Sequence, residues 1–515
     1  MANSEEGLPE DSRDQILVAR ASAAAELLER IVADRGLLAH LPPEERTRLI
    51  RAAGQVYSPD NRARRRMVKA GIRLRKAARV SRDEKTLAMT GIRKLRRQPV
   101  FNTPNVFPPA GFTQRDVGEP DHREAVEPQN CYVCKQDYST VHAFYDQLCP
   151  PCADLNFAKR TERADLRGRV ALLTGGRVKI GYQAGLKLLR SGARLIVTTR
   201  FPRDSAARYA QEPDFAEWGD RLEIFGLDLR HTPSVESFCH GLLAGRDRLD
   251  FIINNACQTV RRPPEFYEHM MANERTALRD APESVRRLLG SYEGLRDAEP
   301  TRSAIERRAL GTPGLTHAAE LSQLRLLPDE QVAQRHLFPQ GQLDQDLQQV
   351  DLRGRNSWRL MLAEVSSVEL LEVQLINAVA PFLINARLKP LMLRTPERDK
   401  HIVNVSAVEG QFYRKTKTTR HPHTNMAKAA LNMMTRTAAT DYYTDGIHMN
   451  SVDTGWVTDE DPAEIAARKT REKGFHPPLD IVDGAARIVD PIFSGVNTGK
   501  HVWGMFLKDY APTRW

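Results

Sequence analysis

The sequence predicts an α/β fold in which a doubly wound parallel sheet follows a helical N-terminal region and a small cysteine-containing module. From residue 169 almost to the end of the chain, apolar strand-like runs alternate with helical periodicity, which is typical of a parallel sheet covered on both faces. The length of 515 residues exceeds one ordinary domain and favours two or three folding units. We predict strands near 169–174, 193–199, 221–226, 249–254, 401–406, 447–452 and 501–507.

A glycine-containing turn follows the first predicted strand. Residues 174–181, with the sequence TGGRVKIG, connect the apolar run at 169–173 to a helix that opens at Tyr182. A strand, a tight glycine turn and a helix N-terminus direct backbone N–H groups and the positive end of the helix dipole at one point, and this arrangement binds a diphosphate. The turn therefore predicts a Rossmann-type dinucleotide site.

This turn resembles the TGxxxGxG motif of the short-chain dehydrogenase/reductase family. Lys179 stands at the middle glycine, which is similar to the TGxxx[RK]xG variant of pteridine-reductase-like members that bind NADPH. The resemblance covers about 169–257 and 365–510, and it implies an NAD(P)-dependent oxidoreductase acting on a small carbonyl or alcohol substrate. Within the turn it implies cofactor contacts from Thr174, Gly175, Arg177, Lys179, Ile180 and Gly181.

The resemblance implies further cofactor contacts along the chain. Arg200 ends the second strand, where members that prefer NAD have an acid, and an arginine pairs with a 2′-phosphate. NADP is therefore the expected cofactor and NAD the alternative. Asp228 in GLDL would contact adenine, and Asn255 and Ala256 belong to NNAC, which stands for the family's NNAG. The segment DTGWVT stands where PGxVxT binds nicotinamide, and it contributes Gly455, Val457 and Thr458.

The catalytic residues of the family are only partly present. Asn377 matches the helix asparagine that holds a water in the proton relay, and Lys428 matches the lysine that contacts the ribose hydroxyls. Ala407 stands at the catalytic serine, with Ser406 one residue earlier, and Thr424 stands at the catalytic tyrosine. An aliphatic hydroxyl is a poor proton donor because its pKa lies far above the roughly 10 of a phenol.

Three interpretations of the lost tyrosine remain open. Tyr413 lies in the loop at 407–424 and would supply a phenol if that loop folds inward. His423 neighbours the replaced tyrosine and titrates near neutrality. In the third interpretation the chain is a non-catalytic, cofactor-sensing adaptor that binds a protein or nucleic-acid partner through its cysteine module and basic helices.

Two C-x-x-C pairs predict a metal site. Cys131 and Cys134 form the first pair, Cys149 and Cys152 form the second, and residues 135–148 separate them. Two such knuckles at this spacing present four thiolates tetrahedrally to zinc. Because closed four-cysteine sites are structural, we predict a zinc module over 129–160 with no catalytic role. Metal-binding cysteines without a disulfide framework suit a reducing compartment, so a cytoplasmic location is expected.

The N-terminal region, 1–98, is predicted to be helical and basic. Between Arg62 and Arg97 there are 15 lysines and arginines but only two acids. The segment 62–97 admits a surface for a polyanion or a protein partner, a helix on an anionic membrane, or a solvated scaffold that holds the acidic remainder. No aromatic residue interleaves the basic run, so stacking on nucleic-acid bases is not supported. A proline-rich linker is predicted at 99–128.

The dinucleotide-binding domain is predicted over 165–515, with a polar helical insertion at 258–355 that projects beside the site. The sequence has no run of 18 uninterrupted apolar residues, so no membrane span is expected. The N-terminus lacks the basic and apolar regions of a signal peptide. The family usually pairs through the helices that carry Asn377 and Lys428, which implies a homo-oligomer.

Overall fold

The structure is a computed structural model that describes residues 10–58, 61–96, 123–297, 317–331, 334–339, 342, 349–414, 417–473 and 476–515. It divides into two compact units, Met1–Arg82 and Asp83–Trp515. Most of the predicted linker at 99–128 and the part of the insertion at 298–316 lie outside the described residues.

The N-terminal unit is helical, as predicted. It contains α1 (Glu10–Ala33), a short 3-10 helix (Arg35–His40), α2 (Pro43–Tyr57) and most of α3 (Asn61–Leu87). α2 begins at Pro43 with two acids in its first turn, which suits the helix dipole. α3 continues without a break through Ser81 to Leu87. The residues of α3 at 64–70 and 72–82 are exposed to solvent.

The cysteine module begins with a hairpin that the sequence analysis did not predict. β1 (Arg123–Asn130) pairs antiparallel with β2 (Asp137–Val141), and β1 starts inside the range predicted to be linker. Its sequence, REAVEPQN, lacks the strict apolar alternation that identifies a half-buried strand. α4 (Gly91–Arg96) precedes the hairpin and α5 (Pro150–Thr161) follows it.

The parallel sheet is confirmed. It has eight strands in the order β10-β9-β8-β7-β6-β3-β4-β5, all parallel to their neighbours except β10, which is antiparallel to β9. The strands are β3 (Val170–Thr174), β4 (Arg194–Thr199), β5 (Leu222–Gly226), β6 (Phe251–Asn254), β7 (Lys400–Ser406), β8 (Ile447–Asp453), β9 (Phe506–Lys508) and β10 (Ala511–Thr513). All seven residues of β7 and of β8 are buried, because helices cover both faces. The strand order reverses between β3 and β6, so a crevice opens at their carboxyl ends.

Helices connect the strands and cover the sheet. They are α6 (Lys179–Arg190), α7 (Pro202–Ala210), α8 (Phe215–Trp218), α9 (Thr232–Gly245), α10 (Pro264–Arg275), α11 (Glu283–Asp297), α12 (Ala318–Leu321), α13 (Ser367–Gln374), α14 (Ala380–Met392), α15 (Pro422–Thr444), α16 (Ala463–Lys473) and α17 (Ile481–Thr498). A π-helical turn, Leu375–Val379, joins α13 to α14. Three of these helices, α10 to α12, belong to the predicted insertion.

The stretch Ser367–Met392 is long and apolar enough to span a membrane by length and composition, and it is the one such helix among the described residues. The structure packs it against the sheet. There the side-chain amide of Asn254 on β6 donates to Asn385 Oδ1 over 2.8 Å, and Asn385 donates to Asn404 Oδ1 on β7 over 3.3 Å. These buried amide pairs attach the stretch to β6 and β7.

Candidate cofactor and substrate site

The turn at 174–181 forms a cradle between β3 and α6. The side chain of Asn255 donates to the carbonyl oxygens of Thr174 and Gly175 over 3.1 and 3.0 Å, and the N–H of Ala256 donates to Thr174 Oγ1 over 3.0 Å. Thr174 itself is buried and braces the turn. The NNAC segment after β6 therefore fixes the shape of the turn.

Two glycines are required by this shape. Gly175 has a φ of +72°, and a Cβ built on it would lie 2.8 Å from the Cα of Ala256. A Cβ on Gly181 would lie 2.2 Å from the carbonyl oxygen of Gly175 and 2.4 Å from Asn255 Nδ2. Neither position accepts a side chain without movement of the turn.

Lys179 occupies the position of the family's middle glycine and begins α6 with a φ of +55°. This is the left-handed region that glycine adopts without strain, which explains why glycine is usual there. Lys179 lines the cavity described next and does not fill it.

A cavity of about 340 Å³ opens beside the cradle, a size within the range of ligand pockets. Its lining includes most of the predicted cofactor residues, namely Gly175, Arg177, Lys179, Ile180, Gly181, Arg200, Asp228, Asn255, Ala256 and Thr458. Gly455 and Val457 are not among its described lining residues. The structure thus brings together residues that follow five strands, β3, β4, β5, β6 and β8, and that lie far apart in the sequence.

Arg200 lies at the carboxyl end of β4 and points along this cavity. Its Nη2 donates to the hydroxyl of Tyr267 over 2.7 Å, and its guanidinium lies 4.7 Å above the Tyr267 ring. Burial alone would raise the pKa of the Tyr267 phenol, but the charge and hydrogen bond of Arg200 lower it. The guanidinium is therefore oriented by a residue of the insertion, which the sequence analysis did not identify.

Arg177 and Asp228 are also held by ion pairs. Arg177 Nη1 bonds to Asp204 Oδ2 over 2.7 Å. Asp228 accepts hydrogen bonds from the backbone N–H and guanidinium of Arg230, and Arg230 also pairs with Glu372 at 2.9 Å. Burial would raise the pKa of Asp228, but Arg230 lowers it. The Asp228 carboxylate is thus ionised and fixed at the adenine end that the resemblance assigns to it.

The predicted catalytic residues lie away from the lining of this cavity. Thr424 and His423 are buried at the start of α15, and Ser406 is buried at the end of β7. The hydroxyls of Ser406 and Thr424 have no hydrogen-bond partner among the described atoms. Lys428, one turn further along α15, donates to the carbonyl oxygen of Val405 over 2.7 Å.

Tyr413 and His423 differ sharply in their surroundings. The Tyr413 side chain is 96% exposed, so the described loop does not fold its phenol into the site. His423 is 1% exposed, and its Nε2 lies 3.4 Å from Glu369 Oε1, which is an ion-pair distance without hydrogen-bond geometry. Burial would raise the pKa of Glu369, but His423 lowers it.

Asn377 lies in the π-helical turn between α13 and α14. Its Oδ1 accepts from the N–H of Gln258 over 2.8 Å, and its Nδ2 donates to the carbonyl oxygen of Gln258 over 3.2 Å. π-turns are frequent at functional sites because they displace backbone groups from the regular helical ladder. Asn377 thus ties this irregular turn to the segment that follows β6.

The segment that directly follows the insertion covers the start of α15. The ring of Trp358 stacks on His421 at 3.8 Å, and the N–H of His421 donates to the carbonyl oxygen of Leu360 over 2.7 Å. Asn356 donates to the carbonyl oxygen of Glu460 over 2.9 Å. Residues 356–364 therefore bridge α15 and the loop after β8.

The cysteine module contacts the segment 453–458, where the resemblance places nicotinamide. The N–H of Trp456 donates to the hydroxyl of Tyr132 over 2.9 Å, and Tyr132 lies between the two cysteines of the first knuckle. Val457 is buried in an apolar cluster with Phe144, Leu148 and other residues of the module. Gly455 and Val457 therefore support the turn from the side of the cysteine module and do not line the cavity.

The four cysteines of the module converge. Their sulfur atoms lie within 4.8 Å of one another, and Sγ of Cys134 is 3.6 Å from Sγ of Cys149. None of the four forms a disulfide. Tetrahedral zinc with Zn–S bonds of about 2.3 Å would space its sulfurs by about 3.8 Å. The donor set and its spacing fit such an ion.

Comparisons with known proteins match the same ranges. A family model described as short chain dehydrogenase matches residues 169–276, and one described as enoyl-(acyl carrier protein) reductase matches residues 355–477. Uncharacterized protein R665 of Acanthamoeba polyphaga mimivirus is 32% identical over 376 residues, which cover 70% of this chain and 71% of that protein. Dehydrogenase/reductase SDR family member 13 of Bos taurus is 37% identical over 130 residues, or 24% of this chain and 32% of that protein.

The chain belongs to the short-chain dehydrogenase/reductase family. It spans about a third of the length of the bovine relative. A solved short chain dehydrogenase from Burkholderia cenocepacia J2315 in complex with NADP is 15% identical, with a TM-score of 0.40, over 67% of this chain and 97% of that one.

Several site residues of this short-chain dehydrogenase/reductase were missed in the sequence. Tyr267, Arg262 and Glu460 line the cavity, although the first two belong to the insertion, which has no recognisable pattern. Burial would raise the pKa of Glu460, but Lys179 lowers it. Tyr132 was overlooked because the cysteines around it suggested only a metal site. No periodic signal in the sequence would have found these residues, since their positions depend on distant segments.

Proposed function

We propose that this short-chain dehydrogenase/reductase is an NADP-dependent oxidoreductase that interconverts a small carbonyl compound and its alcohol. The observation that carries the proposal is Arg200, whose guanidinium lines the cavity beside the glycine cradle and is oriented by Tyr267. A planar cation fixed at the end of β4 suits a 2′-phosphate, whereas the 2′-hydroxyl of NAD prefers an acid there.

The chain's own residues would hold the cofactor in three places. The backbone of 174–181 and the N-terminus of α6 would bind the diphosphate. Arg200 would bind the 2′-phosphate. Lys428, whose ammonium group donates to the carbonyl oxygen of Val405, would contact the ribose. Bound NADPH would supply a hydride to the substrate carbonyl carbon.

We infer that His423 supplies the proton to the carbonyl oxygen. It stands next to the position of the family's tyrosine, and Glu369 Oε1 lies 3.4 Å from its Nε2, so that a carboxylate faces the imidazole. The unpartnered hydroxyl of Thr424 is the adjacent group that would orient the substrate oxygen. Tyr413 would not take part, because its side chain is exposed to solvent.

We also propose that the four cysteines hold a structural zinc ion, and that the protein works in the reducing cytoplasm. The ion would fix the knuckle that carries Tyr132 and so support the turn at 453–458. The adaptor alternative finds no support among the relatives, whose described members are dehydrogenases and reductases.

The cofactor proposal is tested by titrating the full-length protein with NADPH and NADH. Arg200→Ala should weaken NADPH binding about 10- to 150-fold, since hydrogen bonds to charged groups contribute about 1.5–3 kcal/mol, and it should leave NADH binding little changed. Arg194→Ala is the matched control, because Arg194 is exposed at the other end of β4. Equal losses for both nucleotides, or no binding of either, would contradict the proposal.

The chemistry is tested by following NADPH absorbance with panels of aldehydes, ketones and quinones. His423→Gln should lower kcat and leave the NADPH dissociation constant little changed, while Tyr413→Phe should keep wild-type activity. NADPH binding with no turnover on any substrate would instead favour a cofactor-sensing role. Retained activity in His423→Gln would show that another group donates the proton.

A further inference from the structure

Three histidines meet near the amino-terminal ends of β7 and β8, at the opposite end of these strands from the carboxyl ends that face the crevice. His401 is the second residue of β7, His448 is the second residue of β8, and the two are paired in the strand register. His501 lies in the segment before β9. One ring nitrogen from each lies within 4.8 Å of the others.

The geometry points to a second metal site, in which His401, His448 and His501 bind a borderline divalent cation such as Zn²⁺. Three observations support it: the type of ligand, the distances between the nitrogen atoms, and the contacts that hold the rings in place. Imidazole nitrogen suits zinc and similar first-row metals, and three protein ligands leave one coordination position for water.

The spacing suits an ion between the rings. Nε2 of His401 and Nδ1 of His501 are 2.9 Å apart. Tetrahedral zinc with Zn–N bonds of about 2.05 Å would space two nitrogens by about 3.3 Å, so a shift of a few tenths of an ångström admits the ion. The ring centroids of His448 and His501 are 4.8 Å apart.

Of the three proposed ligands, His448 has the hydrogen bond to a backbone carbonyl that metal-binding histidines usually have. Nδ1 of His448 lies 3.1 Å from the carbonyl oxygen of Lys400, and a carbonyl there accepts the ring N–H and leaves Nε2 with its lone pair free to bind. The ammonium group of Lys400 is directed elsewhere, to the carbonyl oxygens of Met392 and Thr395. It therefore does not occupy the space between the rings.

The backbone holds all three rings in place. β7 and β8 fix His401 and His448, and the segment after His501 is held to β8 by a 2.8 Å bond from the N–H of Gly504 to the carbonyl oxygen of Met449. Asn450 also donates to the carbonyl oxygen of Val502 over 2.7 Å. The ligands are thus preorganised on three separate segments.

Gly495 on α17 keeps space open beside the nitrogens. A Cβ built there would lie 2.5 Å from Nδ1 of His501 and 3.0 Å from Nε2 of His401, closer than a carbon atom tolerates. A methyl group at this position would therefore displace the ligands or the ion without removing any histidine. This makes Gly495 a sensitive probe of the site.

The test compares zinc content of the full-length protein after saturation with Zn²⁺ and removal of excess metal. Wild type should hold one zinc ion per chain more than either His501→Ala or Gly495→Ala. Gly290→Ala, in which the added Cβ meets nothing within 4 Å, is the matched control and should equal wild type. The cysteine site is unchanged in every variant, so the difference of one ion does not depend on its occupancy.

X-ray absorption at the zinc edge gives a second readout that does not require a variant to fold perfectly. Wild type should show nitrogen ligands at about 2.0–2.1 Å, beside any sulfur at about 2.3 Å, and Gly495→Ala should lose the nitrogen contribution. Equal zinc content in wild type and both variants, or a wild-type spectrum without nitrogen, would overturn the proposal.

Discussion

The contact between Tyr132 and Trp456 predicts that the cysteine module tunes cofactor affinity. The Tyr132 hydroxyl accepts the N–H of Trp456 over 2.9 Å, at the turn where the proposed nicotinamide lies. Tyr132→Phe removes this acceptor and keeps the ring. Burial raises the pKa of Tyr132, so the phenol stays neutral and the change removes no charge.

The expected size follows from one neutral hydrogen bond. Such a bond contributes about 0.5–1.5 kcal/mol, and if it holds the turn in its cofactor-binding shape, its loss weakens NADPH binding by about 2- to 12-fold. The whole effect should appear in the dissociation constant of NADPH, because no other site residue is changed.

Tyr138→Phe is the matched control. Tyr138 lies in the same module, and its hydroxyl donates to the carbonyl oxygen of Asp146 over 2.7 Å, away from the turn. It should lower stability and leave NADPH affinity at the wild-type value. The assay is a fluorescence titration of NADPH with all three proteins. If both variants weaken binding equally, the effect is a general loosening of the module and the proposed coupling is wrong.

Four further predictions follow from other contacts. Gly181→Ala should weaken NADPH binding by about 5- to 160-fold, since overpacking costs about 1–3 kcal/mol and the added Cβ would lie 2.2 Å from the Gly175 carbonyl oxygen. Gly290→Ala should not weaken it in the same titration. Arg160→Met should lower the free energy of unfolding by about 3–5 kcal/mol, because buried Arg160 pairs with Asp480 at 2.7 Å and Asp483 at 2.8 Å, and urea denaturation would show it. The exposed pair of Arg167 and Asp165 offers the control, and Arg167→Met should change the urea midpoint little. Burial raises the pKa of Glu274 from 4.5 to about 7, so the folded state binds the proton more tightly than the unfolded state, and stability should fall as pH rises between these values. Glu274→Gln should flatten that part of a pH–stability curve, and an unchanged slope would assign it to another group. Phe382 is 56% exposed on α14, next to the turn that carries Asn377. The resemblance implies that two chains pair through this region, so Phe382→Glu should convert a dimer to a monomer in size-exclusion chromatography. A wild-type monomer would refute the pairing.

No observation tests the partners predicted for the basic segment 62–97. α3 and α4 are helical and the side chains at 64–70 are exposed, but their partner stays a prediction. Binding to a polyanion through phosphate contacts would weaken steeply with salt.

The features that the sequence determined by itself are local in the chain. A strand, a glycine turn and a helix within residues 169–190 specify the diphosphate cradle, because backbone geometry at neighbouring residues decides its shape. The same holds for the two C-x-x-C knuckles, and for the alternation that predicted the parallel sheet. The last parallel strand is an exception: β9 was expected at 501–507 and forms only at Phe506–Lys508, after an irregular segment that contains His501.

The features that only the tertiary structure decided join residues far apart in the chain. Arg200 is oriented by Tyr267, Tyr132 contacts Trp456, and His401 meets His448 and His501. The pairing register of β7 and β8 places the histidines side by side, and a shift of one residue would turn each to the other face. Tyr413 shows the converse, since its place in the loop at 407–424 suggested a catalytic phenol and the fold leaves it in solvent. Contacts of this kind depend on how distant elements pack, and local sequence carries no record of that packing.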